Sequence, residues 1–535
     1  MNVSRGKGLM ILGAGVMQGP AIRIAKEMGL HTIVADADPR APWVTLADRF
    51  EHIDLKDKEG IEALARSLQA KGALEGIMTA GTDFSATVAW VAERLGLPGI
   101  SYEAALNASD KERMRCRFQK AGLASPRFII LREPPAPDYT LPFAYPVVVK
   151  PADNMGSRGC RRVQGFEELA AAVADALAFS RSSRAIVEEY MEGPEFSVDA
   201  IVYRGNITVC GLADRHIFFP PYFIEMGHTM PASIGKAAAD ALLQVFEAGV
   251  NALGITNGAA KGDIKLTPAG PMIGEIAARL SGGYMSGWTY PYASGVMVTK
   301  GAIQVALGNA PDGLTPQRYW TSAERAFISI PGKVRSIQGL ETARITEYVK
   351  DLFLRVEPGS RVRFPENNVT KCGNIITAAP VRDEAVAAAE RAARAVLIRL
   401  EAPDLETEQF LGAGISNQGS FPPDAFTLPE PLRSRLKALP ESKPHSPILP
   451  GQAGEMVIVP FPELIESCFK DYMGRTVMET LEAVRALTGF PLPLAERHQD
   501  LSAHILVLGR DFWVALIRGG YQGAAYMIDG LIQRE

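Results

Sequence analysis

The stretch PVVVKPADNMGSRGCRRV, Pro146 to Val163, is compatible with two kinds of structure. An apolar β-branched run ends at Lys150, and a loop that contains Gly156 and Gly159 follows it. Such a segment predicts either a hairpin on an exposed sheet edge or a loop that holds phosphate groups. It does not match the P-loop consensus, because that motif needs Lys-Ser or Lys-Thr directly after a glycine. The rest of the chain must therefore decide between the two interpretations.

Length and composition indicate a globular protein with several domains. A chain of 535 residues exceeds what one hydrophobic core supports, so three or four domains are expected. The net charge of -4, without a Lys/Arg run, argues against a nucleic-acid partner, and no stretch of 18 apolar residues indicates a membrane span. The five scattered cysteines form no CxxC pair, which favours a cytoplasmic protein over a disulfide framework or a zinc site.

The hydrophobic pattern changes character along the chain, and each change suggests a domain boundary. The first part alternates strand and helix patterns, which predicts a parallel sheet covered by helices. The middle part is predicted as α+β, and an alanine-rich helix that runs to Leu400 closes the next part. A proline-rich stretch over 420–451 is expected to be an extended linker, and the tail after it to be mostly helical. The predicted domains are 1–105, 106–310, 311–405, a linker over 406–451, and an accessory domain of unknown role over 452–535.

A glycine loop near the N-terminus leaves two interpretations open. Gly13 to Gly19 follows a predicted strand and opens a helix, and Asp36 and Asp38 lie about twenty residues further on. This arrangement suggests dinucleotide binding at the helix N-terminus. The third glycine falls one residue late for the G-x-G-x-x-G motif, so a tight turn between strand and helix is about as well supported.

A second group of residues predicts a metal and phosphate site. Asp263 and Glu275 lie in a predicted strand-turn-strand segment, AKGDIKLTPAGPMIGEIAARLSGG, which can place the two carboxylates side by side. Carboxylate oxygens suit Mg²⁺, which is typically held by one or two carboxylates together with substrate phosphates. Arg279, four residues after Glu275, offers the planar donor that phosphate or carboxylate recognition favours.

Five segments, in order, resemble the ATP-grasp superfamily over roughly residues 8–400. Within it the closest resemblance is to L-amino-acid ligases and the carbamoyl-phosphate-synthase-like branch. The segments are ASDKERMRCRFQKAGLASPRF, VVVKPADNMGSRGCRRV, VEEYMEGPEFSVDA, YFIEMGHTMPASI and GITNGAAKGDIKLTPAGPMIGEIAARLSGG. The resemblance implies an ATP-grasp fold, α/β and α+β, with an N-terminal parallel-sheet domain, a two-lobed core and a small C-terminal α/β module. The helical tail lies outside the part of the chain that the resemblance covers.

The resemblance also implies roles for individual residues. Lys111, Lys150 and the loop with Ser157 and Arg158 would bind the phosphates of ATP, and Arg279 would contact the transferred phosphoryl group. Asp263 and Glu275 would hold Mg²⁺ or Mn²⁺. His228, with Glu225 beside it, would reach the phosphoryl intermediate. The residues assigned to the nucleoside are Glu188 with the backbone of Glu189 and Met191 for the adenine edge, and Glu195 for the ribose.

Two positions depart from the family pattern. The first metal position is Asp263 where Glu is common, and Ala277 stands where many relatives carry Asn. The second change removes one potential oxygen ligand, so the number of metal ions stays open.

The resemblance implies an ATP-dependent carboxylate-amine ligase that forms an amide bond through an acyl phosphate. Small-molecule acid and amine substrates are the expected partners, and a homodimer is expected from family habit. Three alternatives stay open: a bicarbonate-activating enzyme of the carboxylase or carbamoyl-phosphate type, a nucleotide-binding module without catalysis, and a dinucleotide-dependent oxidoreductase that rests on the first glycine loop alone.

Overall fold

The computed structural model describes residues 7–416, 419–442, 456–495 and 506–533. The chain divides into two compact units, and each is described by itself. The first comprises residues 1–324 and 376–386, and the second comprises residues 325–375 and 387–535.

The first unit begins with a parallel sheet, as the alternating pattern predicts. Its strands lie in the order β3-β2-β1-β4, and every neighbouring pair is parallel. The strands are β1 Gly8–Leu12, β2 His31–Asp36, β3 Arg49–His52 and β4 Gly76–Thr79, and the helices are α1 Gly19–Glu27, α2 Lys58–Ala70, α3 Ser85–Leu95 and α4 Tyr102–Ser109. The chain leaves this sheet through helix α5, Lys111–Lys120, whose first turn is capped by the Asp110 carboxylate.

A four-stranded sheet follows, in the order β5-β8-β6-β7. Its strands are β5 Phe128–Leu131, β6 Val147–Pro151, β7 Arg161–Val163 and β8 Ala185–Glu189, and helix α6, Phe166–Phe179, packs against it. Strands β6 and β7 are antiparallel neighbours, so the glycine loop between them connects two paired strands.

A larger antiparallel sheet carries most of the remaining chemistry. Six of its strands lie in the order β13-β12-β9-β10-β11-β14. They are β9 Glu195–Tyr203, β10 Asn206–Phe218, β11 Ile224–Met230, β12 Gly258–Thr267, β13 Gly270–Ala277 and β14 Thr321–Phe327. The helices of this region are α7 Lys236–Leu253, α8 Tyr290–Ser294 and α9 Val298–Ala306.

The faces of this sheet differ in character because side chains alternate along each strand. Val198, Ala200 and Val202 point towards helix α7 and join its apolar cluster. The alternate positions Ser197 and Asp199 are also buried, but they lie on the opposite face with the charged groups described below. One face therefore forms the core, and the other supports the candidate site.

The second unit contains two small sheets and most of the remaining helices. Its strands are β15 Gly332–Gln338, β16 Val349–Leu354, β17 Arg361–Val362, β19 Leu397–Leu400, β20 Met456–Ile458 and β21 Leu506–Leu508. Its helices are α10 Leu340–Ile345, α12 Leu405–Gly412, α13 Glu430–Ala438, α14 Pro462–Ile465, α15 Val477–Thr488 and α16 Arg510–Gln533. Strand β18 Gly373–Ala379 and helix α11 Arg382–Ala395 each have residues in both units. Strands β17, β15 and β19 form one sheet, and β20 pairs with β21.

Two sequence expectations about this unit are wrong. The alanine-rich helix does not run to Leu400: it ends at Ala395, and Leu397–Leu400 pairs with β15 instead, which buries Ile398 and Leu400. The stretch expected to be extended contains helix α13, because Phe426 and Leu436 join the apolar core of the tail. Residues 417–418 and 443–451 of the expected linker lie outside the described residues, and the domain boundaries stay a prediction.

Candidate active site

Two lysines predicted to bind phosphate lie beside the glycine loop. Lys150, on β6, places its Nζ 2.7 Å from Glu188 Oε2. Lys111, at the first turn of α5, donates from Nζ to the backbone oxygen of Asn154 at 2.7 Å and lies 3.6 Å from Glu275 Oε2. Burial opposes the charge of Lys111, but Glu275 and other nearby carboxylates outweigh it and raise its pKa. The Lys111 ammonium therefore stays charged at this end of the site.

Glu188 is held between two cations. Its side chain is 2% exposed, and its oxygens contact Arg115 Nε and Lys150 Nζ, both at 2.7 Å. Burial raises the pKa of a carboxyl group, but Arg115 and Lys150 together lower that of Glu188 to about 2. The sequence resemblance assigns this residue to the adenine edge, whereas here both carboxylate oxygens bind side chains of the protein.

The glycine loop has a backbone that only a few residue types adopt easily. Gly156, Ser157 and Gly159 have φ angles of +72°, +59° and +63°. A Cβ atom on Gly159 would lie 2.8 Å from the Phe179 ring, so a side chain there would collide. Arg158 donates from Nε to the Met155 oxygen at 3.0 Å, which folds its side chain back over the loop.

The segment predicted to bind the nucleoside connects β8 to β9. Glu189 forms an ion pair with Arg127 at 2.5 Å. The backbone oxygen of Met191 accepts a hydrogen bond from Lys265 Nζ at 3.1 Å. Glu195 contacts Lys265 at 3.8 Å. Lys265 thus spans the two positions assigned to adenine and ribose, and the sequence reasoning did not single it out.

The predicted metal ligands lie opposite each other in the sheet. Asp263 on β12 is in register with Glu275 on β13. Asp263 accepts hydrogen bonds from Ser197 Oγ at 2.8 Å and from Lys261. Burial works against both carboxylates, but nearby cations lower their pKa, chiefly Arg215 for Asp263 and Lys111 for Glu275.

The donor set fits a magnesium ion. Among the described residues, no group of three or more His, Cys, Asp or Glu side chains could hold a metal. Two opposed carboxylates, completed by phosphate oxygens and water, are what Mg²⁺ commonly accepts in nucleotide sites.

Arg215 joins three acidic residues from neighbouring strands, and the sequence reasoning missed it. Its guanidinium contacts Glu195, Glu225 Oε2 at 2.9 Å and Asp263 Oδ2 at 3.1 Å. Burial opposes its charge, but these three carboxylates raise its pKa well above the ordinary value. Since Arg215 lies opposite Glu195 on one side and His228 on the other, strand pairing brings these residues together.

His228 is buried between two carboxylates. Its Nδ1 lies 3.0 Å from Glu324 Oε2, and its Nε2 lies 3.5 Å from Glu225 Oε2. Burial lowers a histidine pKa, but these two carboxylates raise that of His228 to about 9. Glu324 was not a sequence candidate, because it belongs to β14, almost one hundred residues further along the chain.

Arg279 lies just beyond the end of β13. Its Nη1 donates to the Leu280 oxygen at 3.1 Å. Its Nε is buried and has no hydrogen-bond partner in the part of the chain that the structure describes. The guanidinium therefore retains donor capacity for an anionic ligand.

The first glycine loop uses its own amide groups internally. The Ala14 N–H donates to Asp36 Oδ2 at 2.7 Å, and the Gly15 N–H donates to Gln18 Oε1 at 3.0 Å. A dinucleotide phosphate would need those donors. These two contacts favour a tight turn between strand and helix over the dinucleotide interpretation.

Comparison with known proteins agrees with this arrangement. Residues 143–287 match a model described as an ATP-grasp domain, residues 22–99 match an ATP-grasp N-terminal domain, and residues 326–401 match the L-amino acid ligase C-terminal domain 2. The crystal structure of an L-amino acid ligase from Bacillus licheniformis superimposes with a TM-score of 0.66 at 22% identity, covering 75% of this chain and all of that chain.

The chain is similar in sequence to an uncharacterised protein of Sinorhizobium fredii and to carnosine synthase 1 of Gallus gallus. The first is 24% identical over 384 residues, 70% of this chain and 79% of that protein. The second is 25% identical over 338 residues, 57% of this chain, and the match spans only 36% of the chicken protein.

These matches and the fold define the class of the protein. The chain belongs to the ATP-grasp superfamily and is an enzyme of its ligase class, a group that generally uses ATP and a divalent metal ion. Within that superfamily, it carries the C-terminal domain of the L-amino acid ligases. In the described part of the chain, no helix is long and apolar enough to cross a membrane.

Proposed function

We propose that this enzyme is an ATP-dependent carboxylate-amine ligase, which activates an acid as an acyl phosphate and joins it to an amine as an amide. The observation that carries the proposal is the register of Asp263 with Glu275. Lys111 lies beside Glu275, and Arg279 lies just beyond the end of the same strand. Two carboxylates, an ammonium and a guanidinium are groups that could together bind a metal ion, a polyphosphate and an anionic intermediate, which supports the proposal.

The proposed chemistry follows from the low reactivity of carboxylates. An amine cannot displace oxide from a carboxylate, so the acid must first receive the γ-phosphoryl group of ATP, with release of ADP. The amine then attacks the acyl carbon, and inorganic phosphate leaves. The protein takes little part in the covalent chemistry. Its contribution is to position the reactants and to stabilise negative charge.

Each phosphate-side residue has a proposed task. Lys150 and Lys111 bind phosphate oxygens, and the loop with Ser157 and Arg158 covers the β- and γ-phosphates and excludes water from the acyl phosphate. Glu188 holds Lys150 in place, since both of its oxygens are bound to cations. This positioning role replaces the adenine contact that the resemblance implies for Glu188.

The remaining tasks belong to the nucleoside and the reacting groups. The backbone of Glu189 and Met191 is proposed to bind the adenine edge, and Glu195 the ribose. Asp263 and Glu275 would hold Mg²⁺ or Mn²⁺, which neutralises phosphate charge when bound. Arg279 is proposed to contact the transferred phosphoryl group, and His228 contributes positive charge at the reacting end.

The substrates are proposed to be small acids and amines of amino-acid size. The support is the match to the L-amino acid ligase C-terminal domain, together with the similarity to carnosine synthase 1. A cytoplasmic location and a homodimeric assembly stay predictions.

The test is a screen of amino acids and small acids, in pairs, for release of ADP and phosphate from ATP. Release that requires both an acid and an amine supports the ligase. Release that bicarbonate drives alone indicates a carboxylase or carbamoyl-phosphate type of enzyme, and ATP binding without ADP formation in any mixture indicates a non-catalytic module.

Two variants link the screen to the site. Glu275→Ala is expected to abolish ADP formation while the circular dichroism spectrum is unchanged. The matched control is Glu247→Ala, which removes an exposed glutamate from helix α7. Near-normal turnover in Glu275→Ala would refute the assignment of the metal site.

A further inference from the structure

His228 faces an acidic group at each of its ring nitrogens. Glu324 Oε2 lies 3.0 Å from Nδ1, and Glu225 Oε2 lies 3.5 Å from Nε2. The histidine side chain is 1% exposed and that of Glu324 is fully buried, so bulk water does not screen this contact. The two acids come from β11 itself and from the neighbouring strand β14.

The chemistry of the groups restricts the protonation state of the ring. An ionised carboxylate only accepts hydrogen bonds, and a neutral imidazole has one nitrogen that carries a lone pair in place of a hydrogen. In either neutral tautomer, one nitrogen lone pair would therefore face a carboxylate oxygen in a buried setting. When both acids are ionised, only the imidazolium ion, with a hydrogen on each nitrogen, satisfies both contacts.

A further charged residue near His228 is consistent with this state. Arg215 on β10 is in register with His228, and its guanidinium contacts the same Glu225 carboxylate. Glu225 thus lies between two cations, and His228 lies between two anions. Along this chain of contacts the charges alternate in the order Asp263, Arg215, Glu225, His228, Glu324.

We propose that Glu324 is a positioning residue which, together with Glu225, keeps His228 as a permanent imidazolium ion. As a fixed cation, His228 attracts the negative charge of a carboxylate or phosphoryl group, and it does not remove the proton of the attacking amine. This last consequence rests on the proposed ligase function, whereas the protonation state does not. The burial and the two carboxylates that raise the pKa of His228 to about 9 support the same conclusion.

The protonation state can be measured without any substrate. The chain contains 7 histidines, and protein labelled with ¹⁵N at the imidazole ring gives a separate signal for each. His228→Gln identifies the signal of His228. We expect both ring nitrogens of His228 to remain protonated from pH 6 to pH 8. A midpoint near 6.5, or the pattern of a neutral tautomer at pH 7, would overturn the proposal.

Glu324→Gln tests the positioning role directly. Loss of one carboxylate should move the titration midpoint of His228 down by at least one pH unit, whereas the exposed control Glu247→Gln should leave it unchanged. An unaltered midpoint in a folded Glu324→Gln protein would refute the role of Glu324. If that variant does not fold, Glu225→Gln provides the second measurement of the same shift, and the wild-type titration still decides the protonation state.

Activity then distinguishes this inference from the proposed function. With a productive acid and amine, Glu324→Gln should acquire an alkaline limb in its pH–rate profile, because its His228 loses the proton within the assay range. The wild type should show no such limb between pH 6 and pH 8. A neutral His228 in an active ligase refutes only this inference, and a charged His228 in a protein that never forms ADP refutes only the ligase.

Discussion

Glu188→Gln is the substitution whose effect on stability follows most directly from the geometry. The change keeps the size of the side chain and removes its charge. Arg115 and Lys150 then remain largely buried beside a neutral amide that cannot neutralise them. Removing one partner from a buried ion pair is strongly destabilising, because the remaining charge is uncompensated.

The pKa of Glu188 gives the magnitude of the effect. The folded protein lowers it from the ordinary 4.5 to about 2, and one pKa unit corresponds to about 1.4 kcal/mol, so ionised Glu188 contributes about 3 kcal/mol. Because the folded pKa is the lower one, this contribution is fully present above pH 4.5 and is lost as the pH falls towards 2. At pH 7 the variant should therefore lose the full amount.

The assay is urea-induced unfolding at pH 7, followed by tryptophan fluorescence in a Trp513→Phe background. The four remaining tryptophans, Trp43, Trp90, Trp288 and Trp320, all belong to the first unit, so the signal reports the unit that contains Glu188. The free energy of unfolding of Glu188→Gln should be lower by about 3 kcal/mol, and the difference should narrow below pH 4.5.

The adjacent residue supplies a matched control. Glu189 pairs with Arg127, whose side chain is mostly exposed, and such surface pairs contribute only about 0–1 kcal/mol. Glu189→Gln should therefore change the free energy of unfolding by less than about 1 kcal/mol. If the two variants lose the same free energy, the reasoning from burial and paired charge at Glu188 is wrong.

Three further substitutions test other parts of the molecule. Asp199→Asn should raise the free energy of unfolding by about 3 kcal/mol at pH 7.5 and by little at pH 4, because burial raises the pKa of Asp199 from 3.8 to about 6 and its ionised form destabilises the fold above that pH. Gly283→Ala should lower the free energy of unfolding by about 1 kcal/mol, because Gly283 has a φ angle of +59°. It should also lower the rate of ADP release at least tenfold, because the new Cβ would lie 2.8 Å from Glu225 Oε1, beside His228. Arg518→Met should destabilise the second unit by about 3 kcal/mol, because it leaves the buried Asp424 carboxylate, which Arg518 binds at 2.9 Å, without its cation. Trp513 fluorescence measures this loss in a background in which the other four tryptophans are replaced by phenylalanine.

The features that the sequence predicts well depend on neighbours along the chain. Alternating strand and helix patterns are local, so the parallel N-terminal sheet could be predicted, as confirmed by the match of residues 22–99 to the ATP-grasp N-terminal domain. The pairing of Asp263 with Glu275 is also local, because a short turn joins their strands and places them in register.

Arg215 and Glu324 could not be identified in the same way. Each is brought to the site by the order of strands in the large sheet, in which β9, β10, β11 and β14 become neighbours. Hydrophobic alternation predicts that a residue faces one side of a sheet, but it does not predict which remote strand lies beside it. A charged residue within an otherwise buried strand is the available signal, and Glu324 in β14 provides it.

The wrong prediction of an extended linker near residue 430 has a comparable cause. Frequent prolines favour an extended chain in isolation, but Pro429 and Pro431 lie at the N-cap and within the first turn of helix α13, where a missing N–H group has no cost. Burial of Leu436 then fixes the helix against the core of the tail. Proline content alone therefore could not distinguish a linker from a helix start.

The alternating charges on the site face have a consequence for ligand binding. Asp263, Glu195 and Glu225 already contact Arg215, so a metal ion at Asp263 would compete with that guanidinium for the same oxygens. If the metal ion partly displaces the Arg215 guanidinium from Asp263, an unpaired cation remains beside the positions proposed for the ribose and the phosphates. A polyphosphate bound there can replace Asp263 as the anionic partner of Arg215. The metal ion and the nucleotide should therefore each increase the affinity of the protein for the other. The reason is that the nucleotide neutralises the Arg215 charge that metal binding leaves unpaired. Arg215→Met removes the competing cation and should weaken that coupling, which titrating Mn²⁺ with and without a non-hydrolysable ATP analogue measures directly. Equal coupling in the variant and the wild type would show that Arg215 takes no part in it.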